Sequence, residues 1–144
     1  MFKRETGAVV SVYGDILKIV EGDVGLVHLP SQYIWDIHKK SSGYVWGFIH
    51  THPPGITEMS STDKSTLEAW AMAFYPFPFN FVVATLNGIS DRYYFSIKTY
   101  KGYLQSKDDL KPDQKERKVM IFSNMANPKA IREISKYLWG LSCK

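Results

Sequence analysis

The sequence predicts an α/β fold in which a mixed β-sheet is packed between helices. Three observations predict it. Apolar, β-rich runs of strand length recur at residues 6–13, 44–51 and 79–86. Apolar residues at helical spacing lie between and after them, at Ile34 and Ile37, at Leu67, Trp70, Ala71 and Phe74, and at Ile131, Ile134, Leu138 and Leu141. Turn-forming residues punctuate the junctions. With 144 residues and 44% hydrophobic content, the chain reads as one domain with a real core, spanning residues 1–144.

The elements follow in order. Residues 6–13 form a strand ended by Gly14-Asp15, and residues 16–20 are its hairpin partner. Glu21-Gly22-Asp23 makes a turn, and residues 24–29 a third strand that includes His28. A helix begins at Pro30-Ser31 and runs to about residue 40, with Ile34 and Ile37 inward, His38 on the surface and Ser41-Ser42-Gly43 as its stop. Residues 44–51 read as a buried strand whose even-numbered face carries Tyr44, Trp46 and Phe48 before His50 and His52. A second helix covers about residues 60–75, and Pro76 and Pro78 end it. Residues 79–86 are a strand, Asn87-Gly88 a hairpin-type turn and residues 92–98 the returning strand. A charged connector occupies residues 107–118, a short strand residues 119–122, and a helix residues 128–141, with Asn127 as cap and Pro128 in its first turn.

Composition narrows the function classes. The 18 Lys and Arg against 14 Asp and Glu give a net charge of +4, without the clustered basic face and stacking aromatics of a nucleic-acid surface, so nucleic acid is not the expected partner. One cysteine, Cys143, rules out an intramolecular disulfide framework and a Cys-rich zinc site. The first residues carry no apolar signal segment, and no apolar run reaches the roughly 18 residues of a membrane span. The reading is a soluble, cytoplasmic protein with no membrane partner.

Chemistry concentrates between His50 and Asp63. Strand side chains alternate faces, so His50 and His52 project together. Pro53-Pro54-Gly55 then stops the strand, and Ser60 or Ser61 opens the next helix with Asp63 in its first turn. Two imidazoles and a returning carboxylate, with the fourth position left to water, make a catalytic zinc arrangement. Each part also has a plainer reading: Ser60-x-x-Asp63 resembles a helix capping box, and a lone strand histidine is usually a core or surface residue. Capping and ligation are compatible.

His50-Thr51-His52-Pro53, seven residues from Pro53 to Met59 counted inclusively, and Ser60-Ser61-Thr62-Asp63 resemble the motif of the JAMM or MPN-type (JAB-domain) zinc metalloproteases, in which a glutamate stands on an earlier strand. The resemblance covers roughly residues 5–98. It implies one zinc per chain on His50, His52 and Asp63, Glu5 as general base in preference to Glu21 or Glu58, and Ser60 as oxyanion donor. It also implies a hydrolase, a peptidase or deubiquitinase-like isopeptidase acting on the C-terminal tail of a ubiquitin-like or similar protein. Family members usually carry a helix before the glutamate strand, where four residues precede Glu5 here, so the helix at residues 128–141 is expected to cover that sheet face. Other readings are a non-catalytic JAMM-like assembly module of scaffold or phage-tail type, and a DNA-associated JAMM-like protein.

Overall fold

The computed structural model describes residues 1–22, 31–40, 45–73, 79–89, 92–102 and 126–144. The expected strand at 24–29 with His28, the helix stop at 41–43, Tyr44, the connector at 107–118 and the short strand at 119–122 lie outside them. The described elements are β1 (Thr6–Ser11), β2 (Ile16–Glu21), α1 (Ser31–Lys40), β3 (Val45–Thr51), α2 (Ser61–Ala73), β4 (Phe79–Ile89), β5 (Arg92–Gly102) and α3 (Pro128–Ser142). The five strands form one mixed sheet in the order β2-β1-β3-β4-β5, with β3 and β4 parallel and the other neighbours antiparallel.

The sheet lies between helices, and its two faces hold separate apolar clusters. On one face Ile34 of α1 and Leu67 and Trp70 of α2 pack against Val9, Val45, Phe48, Phe79 and Phe81. On the other, Ile131, Ile134 and Leu138 of α3 cover Ala8, Val10, Trp46, Ile49 and Val82, with Leu141 packed at the margin. Each buried Val, Leu, Ile or Phe among them contributes roughly 1.5–3 kcal/mol by leaving water. Asn127 caps α3, its side chain accepting from the Ala130 N–H at 2.8 Å.

Three sequence expectations are corrected. His38 is buried, with 2% of its surface exposed, because it lies one helical turn after the fully buried Ile34 and shares its face. Asn87-Gly88 is not the hairpin turn: Asn87 pairs with Tyr94 and Gly88 with Tyr93, and the ladder continues to Ile89 opposite Arg92. Cross-strand pairing overrides the local turn signal there. The aromatic face of β3 is also split. Val10 opposes Gly47 while Ser11 opposes Val45, which leaves Trp46 as the extra residue of a bulge. Trp46 therefore joins the α3 side, while Phe48 stays on the α1–α2 side with His50.

Candidate metal centre

The site forms at the carboxyl end of β3, on the face shared with α1 and α2. His50 lies within the strand, and His52 keeps its line because its N–H donates to Ala84 O at 3.0 Å and its carbonyl accepts from Thr85 Oγ1 at 3.1 Å. Period-two alternation thus carries both rings to one side, with their Nε2 atoms 2.9 Å apart. Thr85 Oγ1 also holds Pro53 O at 2.8 Å, and Gly55 turns the chain at a φ of 83°, a left-handed conformation that glycine adopts without strain.

The chain then enters α2 through a reciprocal cap. Asp63 N–H donates to Ser60 Oγ at 3.0 Å, and Ser60 N–H donates to Asp63 Oδ2 at 3.1 Å. The same Oδ2 lies 3.0 Å from His52 Nε2 and 3.4 Å from His50 Nε2. One carboxylate oxygen caps the helix and faces both imidazoles.

Glu5 arrives from β1. The antiparallel register sets Gly7 opposite His50, and two more residues bring Glu5 level with His52. Its carboxylate is buried, and Glu5, His50 and His52 each offer a ligand atom within 4.8 Å of the others. Close approach of the strands depends on Gly7, where a Cβ would stand 2.2 Å from Phe48 Cζ. Phe48 in turn stacks on the His50 ring at a centroid distance of 5.9 Å. Glu21 and Glu58 are exposed, and Glu58 is paired with Lys98 at 3.1 Å.

The donor set fits a metal ion. His50 Nδ1 lies 2.9 Å from Val82 O, so in the neutral ring Nδ1 carries the proton and Nε2 presents a lone pair to the site. That lone pair meets a second Nε2 and a carboxylate oxygen. A proton on His52 Nε2 could bridge them, but a cation takes all three lone pairs at once. Donors about 2.0–2.1 Å from a tetrahedral ion stand roughly 3.3 Å apart, close to the 2.9, 3.0 and 3.4 Å found here.

Electrostatics point the same way. Burial pushes the Asp63 carboxyl up, but its bonds to His50, His52 and the Ser60 N–H outweigh this and hold it well below the usual carboxylate range. Burial likewise lowers the His52 pKa, and the bond to Asp63 with the charges of Asp63 and Glu5 outweighs that and raises it. The site therefore attracts positive charge, whether protons or a metal.

A cleft of about 340 Å³ opens beside it. Glu5, His52, Glu58 and Ser60 give it polar groups, and Pro53, Ile56 and Met59 give it apolar walls. Ser60 Oγ accepts the capping bond and keeps its own proton to donate. The sequence-predicted residues thus gather at one place, and Glu5 also stands within ligand distance of the imidazoles. The backbone carbonyl of Val82, which meets His50 Nδ1, has no motif that would have flagged it.

Among known proteins, no family profile matches the chain and no curated protein matches it. The functional reading rests on the site itself.

Proposed function

We propose that the protein is a zinc-dependent hydrolase of the JAMM type, a peptidase or isopeptidase acting on the C-terminal tail of a ubiquitin-like or similar protein. The observation that carries this reading is the convergence of two Nε2 atoms and a carboxylate oxygen beside a second, buried carboxylate at the mouth of a cleft.

In this reading His50, His52 and Asp63 hold the ion. Zinc, when bound, supplies Lewis acidity, polarising a carbonyl and acidifying water. Glu5, buried next to the imidazoles, takes the proton of the attacking water on a carboxylate oxygen and delivers it to the leaving amine. The Ser60 hydroxyl donates to the oxyanion, a contribution of about 3 kcal/mol for a single such donor. Pro53, Ile56 and Met59 offer the substrate an apolar wall of the cleft. The placing of Glu5, buried within ligand distance of both imidazoles and lining the cleft, favours a catalytic centre over a passive assembly module.

The test is metal stoichiometry followed by cleavage. Purified protein should bind one zinc per chain, His50→Ala and His52→Ala should each abolish stoichiometric binding, and the zinc-loaded protein should cleave ubiquitin-like fusions. Full zinc retention in both alanine variants would overturn the ligand assignment. Stoichiometric zinc without cleavage across a panel of peptide and isopeptide substrates would favour the assembly reading.

A further inference from the structure

Behind the site, on the α3 side of the sheet, three hydroxyls meet. Thr51 lies between the two histidines in sequence, Thr6 follows Glu5, and Ser142 ends α3; all three are fully buried. Ser142 Oγ lies 2.7 Å from Thr51 Oγ1 and 2.9 Å from Thr6 Oγ1, and Thr6 Oγ1 donates to Leu138 O at 2.8 Å. With the Thr6 proton on Leu138 O, Ser142 can donate to Thr6, and Thr51 can donate to Ser142 or to Thr6 O, 3.4 Å away. Every hydroxyl proton then has an acceptor.

The cluster also closes the sheet where its ladder ends. Thr6 N–H donates not to a carbonyl across the strand but to Thr51 Oγ1, at 2.9 Å. Just upstream, Lys3 and Arg4 N–H both reach Ser142 O, at 2.8 and 3.3 Å, and Phe2 packs on Trp139 at a centroid distance of 5.2 Å. The segment carrying Glu5 is thereby tied to the last turn of α3, and that turn is tied to the residue between the imidazoles.

We infer that Thr6, Thr51 and Ser142 form a positioning cluster that sets the spacing of the Glu5 strand end against His50 and His52, so that the last turn of α3 supports the metal centre from the opposite face of the sheet. The three residues touch no substrate; they act through the backbone of the residues that do. Removing the Thr51 hydroxyl orphans the buried Thr6 N–H and cuts the side-chain link between the two strand ends, which keep only their outer ladders to β2 and β4.

The inference rests on the metal-site reading for its effect on affinity, and on the fold alone for its effect on the backbone. The experiment reads both. Amide hydrogen exchange of residues 5–7 is measured on metal-free wild type, Thr51→Val, Thr51→Ser, Ser142→Ala and Ile131→Ala, and cobalt(II) affinity is measured on the same five proteins. Thr51→Val keeps the shape and loses the hydroxyl, Thr51→Ser restores it, and Ile131→Ala destabilises α3 away from the cluster. Thr51→Val and Ser142→Ala should speed exchange at residues 5–7 at least tenfold and weaken cobalt binding by about 10–100-fold, the range for losing a support of a metal ligand. Thr51→Ser should behave as wild type in both. Wild-type exchange in Thr51→Val overturns the inference, as does an equal loss of cobalt affinity in Ile131→Ala at matched melting temperature. If wild type takes up no cobalt, the metal reading fails, and the exchange rates of the metal-free proteins still decide the cluster.

Discussion

At Glu5 a carboxylate with 5% of its surface exposed sits beside two imidazoles, and Glu5→Gln exchanges its charge for an amide of nearly the same shape. The variant should fold, keep its zinc and lose at least ~100-fold in turnover of a ubiquitin-like fusion, the low end of general-base removal. Loss of zinc from the variant would instead make Glu5 a ligand. His38 gives a second residue-scale test. Burial lowers its pKa from 6.5 to about 4, so below pH 6.5 the unfolded chain takes up the proton first. Its contribution to stability is complete above pH 6.5 and is lost as the pH falls towards 4, at up to about 1.4 kcal/mol per pH unit. His38→Leu should flatten this part of the stability–pH profile of metal-free protein, as read by denaturant melts; an unchanged slope would refute the assignment. The two histidine groups also show what was legible. His50 and His52 could be paired from alternation alone, because period two needs no partner strand. The approach of Glu5 was not legible from spacing, because it depends on the β1–β3 register. His38 was misread although Ile34, one turn earlier, marks its face as buried.

The elements carry different shares of the work. Helix α2 is coupled to the candidate metal centre at its first turn, since Asp63 Oδ2 both accepts from Ser60 N–H and faces the imidazoles. Helix α3 covers the opposite face through Ile131, Ile134 and Leu138. Ile134→Ala should cost about 2–5 kcal/mol and lower the melting temperature while leaving zinc stoichiometry at one per chain; an unchanged melt would mean that α3 contributes little to the fold. The apolar stripe of α3 and its Asn-Pro start were readable in the sequence because both are local. The split of β3 at Trp46 and the extension of β4 past Asn87-Gly88 were not, since each is decided by the strand alongside. The hydroxyls of Thr6, Thr51 and Ser142 lie far apart in the chain and meet only once α3 has docked.

For the molecule as a whole, β3 and β4 run parallel and the site lies at the carboxyl end of β3, where open α/β sheets present loops for binding. Among the described residues no helix is long and apolar enough to cross a membrane. If the site holds zinc as proposed, binding and global stability are linked: zinc at a thousandfold its dissociation constant should add about 4 kcal/mol. For a domain of this size that corresponds to roughly 10 °C in melting temperature, and chelation should reverse it. A melt indifferent to chelator would mean that the folded state binds no metal. The segment between His52 and Ser60 is held along its length. Gly55 N–H donates to Leu86 O at 3.1 Å, Tyr100 O–H to Thr57 O at 2.9 Å, and Lys98 pairs with Glu58. Among the described residues, this wall of the cleft is tied down before any substrate arrives, so the wall itself has no shutter to open or close at the encounter. In stopped-flow mixing of zinc-loaded Glu5→Gln with a substrate tail peptide, the observed rate should rise linearly with peptide in a single phase, without the plateau that a slow closing step imposes.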